Sequence, residues 1–213
     1  MTPKYLYSLL LYVLFIGGTA QAVAQSAGEV VKTTSDQVIA KLQSEREELN
    51  ARPEKIYGLV DDLIVPQFDF NSMSKLVLGK NWRAATAAQQ EAFTAQFQTL
   101  LVRTYAKALL EYSDDEITYH PEQKSQDSKI VRVKTDIARP GSSKIPINYS
   151  LINKDGAWKV VDVTIDGISL VSTYRGSFAA EIRNKGLDSL IQQLVDKNNK
   201  AIVGNSITDT GAK

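Results

Sequence analysis

The feature that most constrains this chain is a change of hydrophobic period in mid-sequence. As far as Tyr112 the apolar residues recur at helical spacing. Between Ile117 and Val163 they alternate with polar ones, and from Ile168 onward they return to helical spacing. Helices, then a sheet with one face needing cover, then helices again describe an α+β domain in which helices outnumber strands.

The helical part divides at its breakers. Val31, Val38, Ile39, Leu42 and Leu49 form one stripe between Ala27 and Asn50, with Glu45 to Glu48 on the wet side. Pro53 suits the first turn of a second helix carrying Ile56, Leu59, Val60, Leu63 and Ile64, which stops near Pro66. A short helix follows from Asn71 to Leu78, ended by Gly79. Thr86 and Gln89 have capping-box spacing and open the longest helix. Its stripe is Phe93, Phe97, Leu101, Tyr105, Leu109 and Tyr112, running for about 40 Å at roughly 1.5 Å per residue. Such a stripe is ordinary core or the wall of a cavity, and spacing alone does not separate the two.

In the sheet, Val131, Val133, Thr135 and Ile137 alternate with Arg132, Lys134 and Asp136. Gly141-Ser142-Ser143 supplies a hairpin turn into Ile145, Ile147, Tyr149 and Leu151. A second turn at Asn153 to Gly156 leads to Trp158, Val160 and Asp162 on one face and Lys159, Val161 and Val163 on the other. Ile117 to His120 adds a short edge strand limited by Pro121. The expectation is an antiparallel meander of three or four strands, its apolar face covered by the long helix. Val171, Tyr174, Phe178 and Ile182 then mark a helix broken at Gly186. Asp188 is placed to cap a final helix bearing Leu190, Ile191, Leu194 and Val195, and beyond Asn198 the pattern dissolves.

The beginning of the chain reads as an address. Lys4 precedes an apolar run from Leu6 to Ile16, Gly17 and Gly18 break it, and Ala22-Val23-Ala24 offers a small-residue cleavage site. Ala20-Gln21-Ala22 is a second possible cut, and a retained anchor is the competing reading. The expected organisation is a signal peptide over 1–24, one domain over 25–198 and a polar tail over 199–213. Export without a single cysteine suits a bacterial periplasm, where free thiols would be oxidised.

Composition removes most chemistries. The chain has 25 Lys plus Arg against 24 Asp plus Glu, so nothing attracts it broadly to nucleic acid or to anionic membranes. The lack of cysteine excludes thiol nucleophiles and cysteine metal sites, and the single His120 excludes any site needing two histidines. Asp61-Asp62, Asp114-Asp115-Glu116 and Asp162 with Asp166 are the carboxylate groupings, read as solvated helix or turn residues, with Asp162 and Asp166 as partners for Arg175. No phosphate loop, dinucleotide fingerprint or zinc motif is present. The expected catalytic, metal and cofactor sets are therefore empty, and the functional surplus is apolar.

Three ordered blocks carry a resemblance. The first runs from Val77-Leu78-Gly79-Lys80-Asn81-Trp82-Arg83 through Gln89-Gln90-Glu91-Ala92-Phe93 and Thr104-Tyr105-Ala106 to Tyr112. The second is Trp158-Lys159-Val160-Val161-Asp162-Val163 followed by Asp166-Gly167-Ile168-Ser169-Leu170-Val171 and Tyr174-Arg175-Gly176-Ser177-Phe178. The third is Gly186-Leu187-Asp188-Ser189-Leu190-Ile191 with Leu194. From about Asp36 to Lys197 the chain resembles the MlaC, or toluene-tolerance Ttg2, family of periplasmic phospholipid-binding proteins.

The resemblance implies an NTF2-like, cystatin-like α+β fold with additional covering helices enclosing an apolar cavity. It also implies a soluble carrier that shuttles glycerophospholipid between outer and inner membranes and so maintains outer-membrane lipid asymmetry. The implied partners are an outer-membrane lipoprotein–porin complex and an inner-membrane ABC-type lipid transporter complex. On that reading Phe93, Phe97, Leu101, Tyr105 and Leu109 line a helix wall, while Val161, Val163, Ile168 and Val171 line a sheet wall. Tyr174 stands at the rim with its hydroxyl on a polar partner, and Arg175 is the headgroup or partner contact. Trp82 and Trp158 are read as packing. The rival classes are a polypeptide-binding chaperone or adaptor, a carrier of a single fatty acid, and a small-molecule enzyme of NTF2-like type.

Overall fold

The computed structural model describes residues 25–111, 116–124, 129–138 and 143–207, with 201–207 described by backbone alone. The proposed leader, Tyr112, Asp114, Asp115, Gly141, Ser142 and the last six residues lie outside this set.

Ser26 opens helix α1 (Ala27–Ser44) with a full capping box, its hydroxyl accepting from the Glu29 N–H while the Glu29 carboxylate accepts from the Ser26 N–H. Helix α2 (Arg46–Ala51) follows directly, so the single helix expected over 27–50 is two, separated where Glu45 departs from helical geometry. Glu48 gathers both Arg52 and Lys55 at the next corner. There Pro53 starts a 3-10 turn leading into helix α3 (Ile56–Leu63). A second 3-10 turn, Val65–Gln67, sets up helix α4 (Phe70–Leu78).

Asp69 caps α4 by accepting from the Ser72 N–H at 2.9 Å. The Asp69 backbone N–H donates to the Val160 carbonyl at 2.9 Å, so the start of this helix is stitched to the sheet. Gly79 ends it at φ +54°, a conformation that disfavours any side chain. The short helix α5 (Lys80–Ala84) then carries Trp82 into the core.

The capping box at Thr86 and Gln89 is present as expected and opens helix α6 (Ala87–Tyr105). The α-helix ends at Tyr105 and tightens into a 3-10 segment, Ala106–Glu111, so the expected 40 Å element is shorter and turns at its far end. Helix α7 (Leu170–Lys185) stops at Gly186, φ +86°, and helix α8 (Leu187–Ile207) runs on past Asn198. Asp188 lies inside the first turn of α8, where it accepts from the Gln89 amide at 2.7 Å and ties α8 to the start of α6.

Among the described residues the sheet has six strands, paired antiparallel in the order β1 (Glu116–Tyr119), β3 (Ile130–Ala138), β4 (Ile145–Lys154), β5 (Ala157–Ile165) and β6 (Ile168–Ser169), with β2 (Gln123–Lys124) also on β3. Three are long: β3, β4 and β5. Strand β1 is the expected edge strand, and β2 and β6 have two residues each. The register places Val131 opposite Leu151, Val133 opposite Tyr149, and Thr135 opposite Ile147. The alternation read from the sequence therefore shares one face, as cross-strand pairing requires.

Strand β5 departs from simple alternation. Leu151 pairs with Val160 and Ser150 with Asp162, which leaves Val161 as the extra residue of a β-bulge. The bulge lets Val160 and Val163 join the same core beside the sheet, while Val161 joins the helical core. Asp162 does not pair with Arg175. It accepts from the Ser169 hydroxyl at 2.6 Å and the Val171 N–H at 3.1 Å, fixing the start of α7, while Arg175 Nε donates to the Leu76 carbonyl at 2.7 Å. Asp166 occupies the turn before β6 at φ +49°.

Among the described residues, buried side chains form three clusters. One joins α4 to α8 around Phe93, Phe97 and Phe178. A second joins the start of α1 to the sheet around Leu151, and a third joins α1, α2 and α3 around Ile56.

Candidate functional site

The three cores do not merge. Where they meet, the far part of α6 and its 3-10 extension face the sheet across an apolar cavity. Direct cover of the sheet comes from α1 over β3 and β5 and from α4 and α7 against β5. The cavity has two adjoining chambers. The first, about 190 Å³, has Leu101, Tyr105 and Leu109 on its helical wall, Tyr149, Val163 and Ile165 on its sheet wall, and Val60, Ile64 and Val65 at one end. The second, about 210 Å³, extends under α1 between Val31, Val38 and Leu42 and the sheet residues Ile117, Ile137 and Val160. Ile64, Phe68, Leu109, Ile147 and Tyr149 line both and form the partition. Together they give about 400 Å³, inside the roughly 300–1,000 Å³ typical of small-molecule sites.

Polar groups near the chambers are few, and among them the Tyr119 hydroxyl is buried without a hydrogen-bond partner among the described residues. Thr135, on the apolar face of β3, donates to the Ile147 carbonyl at 2.9 Å. Burial pushes the Tyr149 hydroxyl up to about 12, with the Tyr119 hydroxyl nearby adding to the shift and a hydrogen bond with Thr135 opposing it. Tyr149 is therefore a neutral wall residue at any physiological pH.

Of the residues singled out from the sequence, Leu101, Tyr105, Leu109 and Val163 are brought together on the cavity wall. Phe93 and Phe97 belong to the same stripe but are fully buried against helices instead. Their rings stack at 5.6 Å, and Phe178 meets them edge-on at 5.8 and 6.2 Å. Val161 and Val171 lie in that helical core as well, Val161 because of the bulge. Ile168 is 62% exposed on the edge strand, away from the chambers. Tyr174 packs its ring on Phe97 at 5.3 Å, and its hydroxyl bonds with Tyr105, the cavity-wall residue, and with Thr104. Burial first, then Tyr105, push the Tyr174 hydroxyl up to about 12. Trp82 is buried in the helical core, and Trp158 packs against the sheet core.

Among the wall residues missing from that set are Ile147, Tyr149, Phe68, Ile64 and Ile165. For Ile147 and Tyr149 the signal was present, since they alternate with Leu151 on the apolar face of β4. Phe68 lies in no periodic run, and no sequence pattern points to it.

Among the described residues, no grouping of acid–base or metal-ligating side chains lines this space. His120, at the end of β1, bonds Asp136 through Nε2 at 2.8 Å on the partly exposed sheet edge. Among the described residues, no three of His, Asp or Glu cluster as metal ligands. Among them also, no helix is long and apolar enough to cross a membrane.

Residues 32–196 match the family described as MlaC protein. The chain belongs to the MlaC family. Toluene tolerance protein Ttg2D of Pseudomonas putida is 30% identical over 166 residues, covering 78% of this chain and 77% of that protein. The intermembrane phospholipid transport system binding protein MlaC of Haemophilus influenzae is 24% identical over 191 residues, covering 88% and 89%. Among solved structures, the phospholipid-binding protein of Ralstonia solanacearum, in complex with a phospholipid, superposes with a TM-score of 0.74 at 31% identity. That match covers 84% of this chain and 98% of the other. The MlaC fold here is thus the α+β class expected from the sequence, an antiparallel sheet with covering helices.

Proposed function

We propose that this chain is a carrier of glycerophospholipid, holding acyl chains in the twin chambers between α6, α1 and the sheet. The observation that supports this most directly is the apolar lining of a cavity in a chain whose solved MlaC relative, at 31% identity, is in complex with a phospholipid.

The energetics suit a shuttle rather than an enzyme. Two acyl chains with about 30 methylenes would cost roughly 24 kcal/mol to expose to water at about 0.8 kcal/mol each. That exceeds practical noncovalent affinity, so it is not a binding energy. The relevant transfer is bilayer to cavity, apolar to apolar, and nearly neutral. The carrier removes the aqueous barrier; direction comes from its partners. We place its work in the periplasm, after removal of residues 1–24, between an outer-membrane lipoprotein–porin complex and an inner-membrane ABC-type lipid transporter.

Organic extraction and mass spectrometry of the purified mature protein test the reading. Two-chain phospholipid near one per chain is expected. Leu101→Glu, which puts a carboxylate on the cavity wall, should lower it roughly tenfold, while the exposed Lys129→Ala leaves it unchanged. Absence of phospholipid from gently purified protein, or equal recovery from folded Leu101→Glu, refutes the carrier reading.

A further inference from the structure

The walls of the first chamber continue outward into a polar depression. Val65, Phe68 and Phe70 line both. The rings of Phe68 and Phe70 stack at 5.5 Å and form the boundary between them. On the outer side stand Asp69, Lys154, Asp155 and Lys159, with Gln98 of α6 opposite. No other polar cluster of this kind borders the chambers among the described residues.

The four charges are not equivalent. Asp69 is buried and already committed: it accepts from Lys154 Nζ at 2.9 Å and from the Ser72 hydroxyl at 2.8 Å, besides capping α4. Lys159 Nζ donates to the Pro66 carbonyl at 2.6 Å, which holds it beside the Phe68 turn. Among the described residues, no carboxylate lies within ion-pairing distance of Lys159 and no cation within that distance of Asp155. Asp155 is exposed at the β4–β5 turn with φ +52°. The depression therefore offers Lys159, held by a backbone carbonyl and by no carboxylate, and Asp155, whose charge acts on nearby Lys154 without a bonded ion pair, beside the Asp69–Lys154 pair.

A lipid whose chains fill the chambers cannot bring its headgroup inside, because burying a phosphate among apolar side chains has no compensating partner there. The headgroup must stay outside, and the depression, which shares Val65, Phe68 and Phe70 with the first chamber, borders it with matching chemistry. Resting on the carrier reading, we infer that this depression is the headgroup station and that it favours zwitterionic headgroups. The phosphate lies toward Lys159 and the amine toward Asp155, with the Phe68–Phe70 pair against the glycerol neck. A headgroup bearing only the phosphate charge satisfies Lys159 and leaves Asp155 repelled or idle.

The test loads delipidated full-length mature protein from vesicles of equimolar phosphatidylethanolamine and phosphatidylglycerol with identical acyl chains. The repurified protein is analysed by native mass spectrometry. The unmodified protein should hold more of the ethanolamine lipid. Asp155→Asn keeps a residue tolerant of positive φ and removes only the charge, and it should lower the ethanolamine-to-glycerol ratio about threefold. Lys159→Gln should reduce retention of both lipids on dilution by a similar factor, about threefold. Lys129→Ala is the surface control. Lipid bound with an equal ratio in the unmodified protein, or a ratio unmoved by Asp155→Asn, overturns the headgroup station and leaves the carrier intact. No lipid of either kind in the unmodified protein overturns both.

Discussion

The division of one helical stripe between core and cavity makes a sharp prediction for Phe97. Its side chain is fully buried, with the Phe93, Phe178 and Tyr174 rings within 5.6, 6.2 and 5.3 Å. Phe97→Ala removes that ring from a packed helical interior where neighbours on α7 cannot collapse fully onto the gap, at a cost of about 3–5 kcal/mol. With a urea dependence of about 2.5 kcal/mol per molar, the unfolding midpoint should fall by roughly 1.5 M. Leu109 lies one helical face-repeat series further along and lines both chambers. Leu109→Trp fills open space, so it should leave the midpoint within about 0.5 M, because no packed neighbour is displaced. The assay is urea unfolding of delipidated protein followed by Trp82 and Trp158 fluorescence, with phospholipid per folded chain measured in parallel. Phe97→Ala should lose stability and keep lipid, and Leu109→Trp should do the reverse. If Phe97→Ala loses lipid at unchanged stability, or Leu109→Trp retains its full complement, the assignment of the first part of α6 to the core and of its far part and 3-10 extension to the cavity is wrong.

Three further outcomes follow from the same structure. Burial raises the Asp69 carboxyl, but bonds from Lys154 and Ser72 more than offset this and hold it below its ordinary value. The stabilisation it gives is complete above the unfolded pKa of about 3.9 and fades as pH falls toward the folded value. Thermal melts between pH 6 and pH 2.5 should therefore show a steeper acid decline for the unmodified protein than for Asp69→Asn. Tyr149 and Tyr174, both pushed up to about 12, should stay un-ionised in a spectrophotometric titration after ordinary tyrosines have titrated near 10. Because only the unfolded chain ionises them in that interval, stability should be lost as pH rises above about 10, and Tyr149→Phe should lessen the loss. Gly79→Ala meets no atom within 4 Å at its new Cβ, so its cost is backbone strain alone, about 1–3 kcal/mol in the unfolding free energy read from urea titration.

Elements governed by local chemistry were legible in the chain itself. The capping box at Thr86 and Gln89, the stops at Gly79 and Gly186, and the shared face of Val131, Val133, Ile147, Tyr149 and Leu151 all depend on residues near in sequence or on strand alternation. Family membership was legible too, because its motifs are ordered blocks of sequence.

What lay beyond the sequence was the identity of whatever stands opposite each face. Phe93, Phe97, Leu101, Tyr105 and Leu109 share one period, yet α7 closes on the first two and leaves the rest facing a gap. The bulge at Val161 likewise arises from pairing between strands, and it puts Val160 in place of Val161 beside Val163 on the chamber side. Periodicity records which way a side chain points from its own element. Only the placement of distant elements, set by how three cores pack without merging, decides whether it meets another side chain or an empty space.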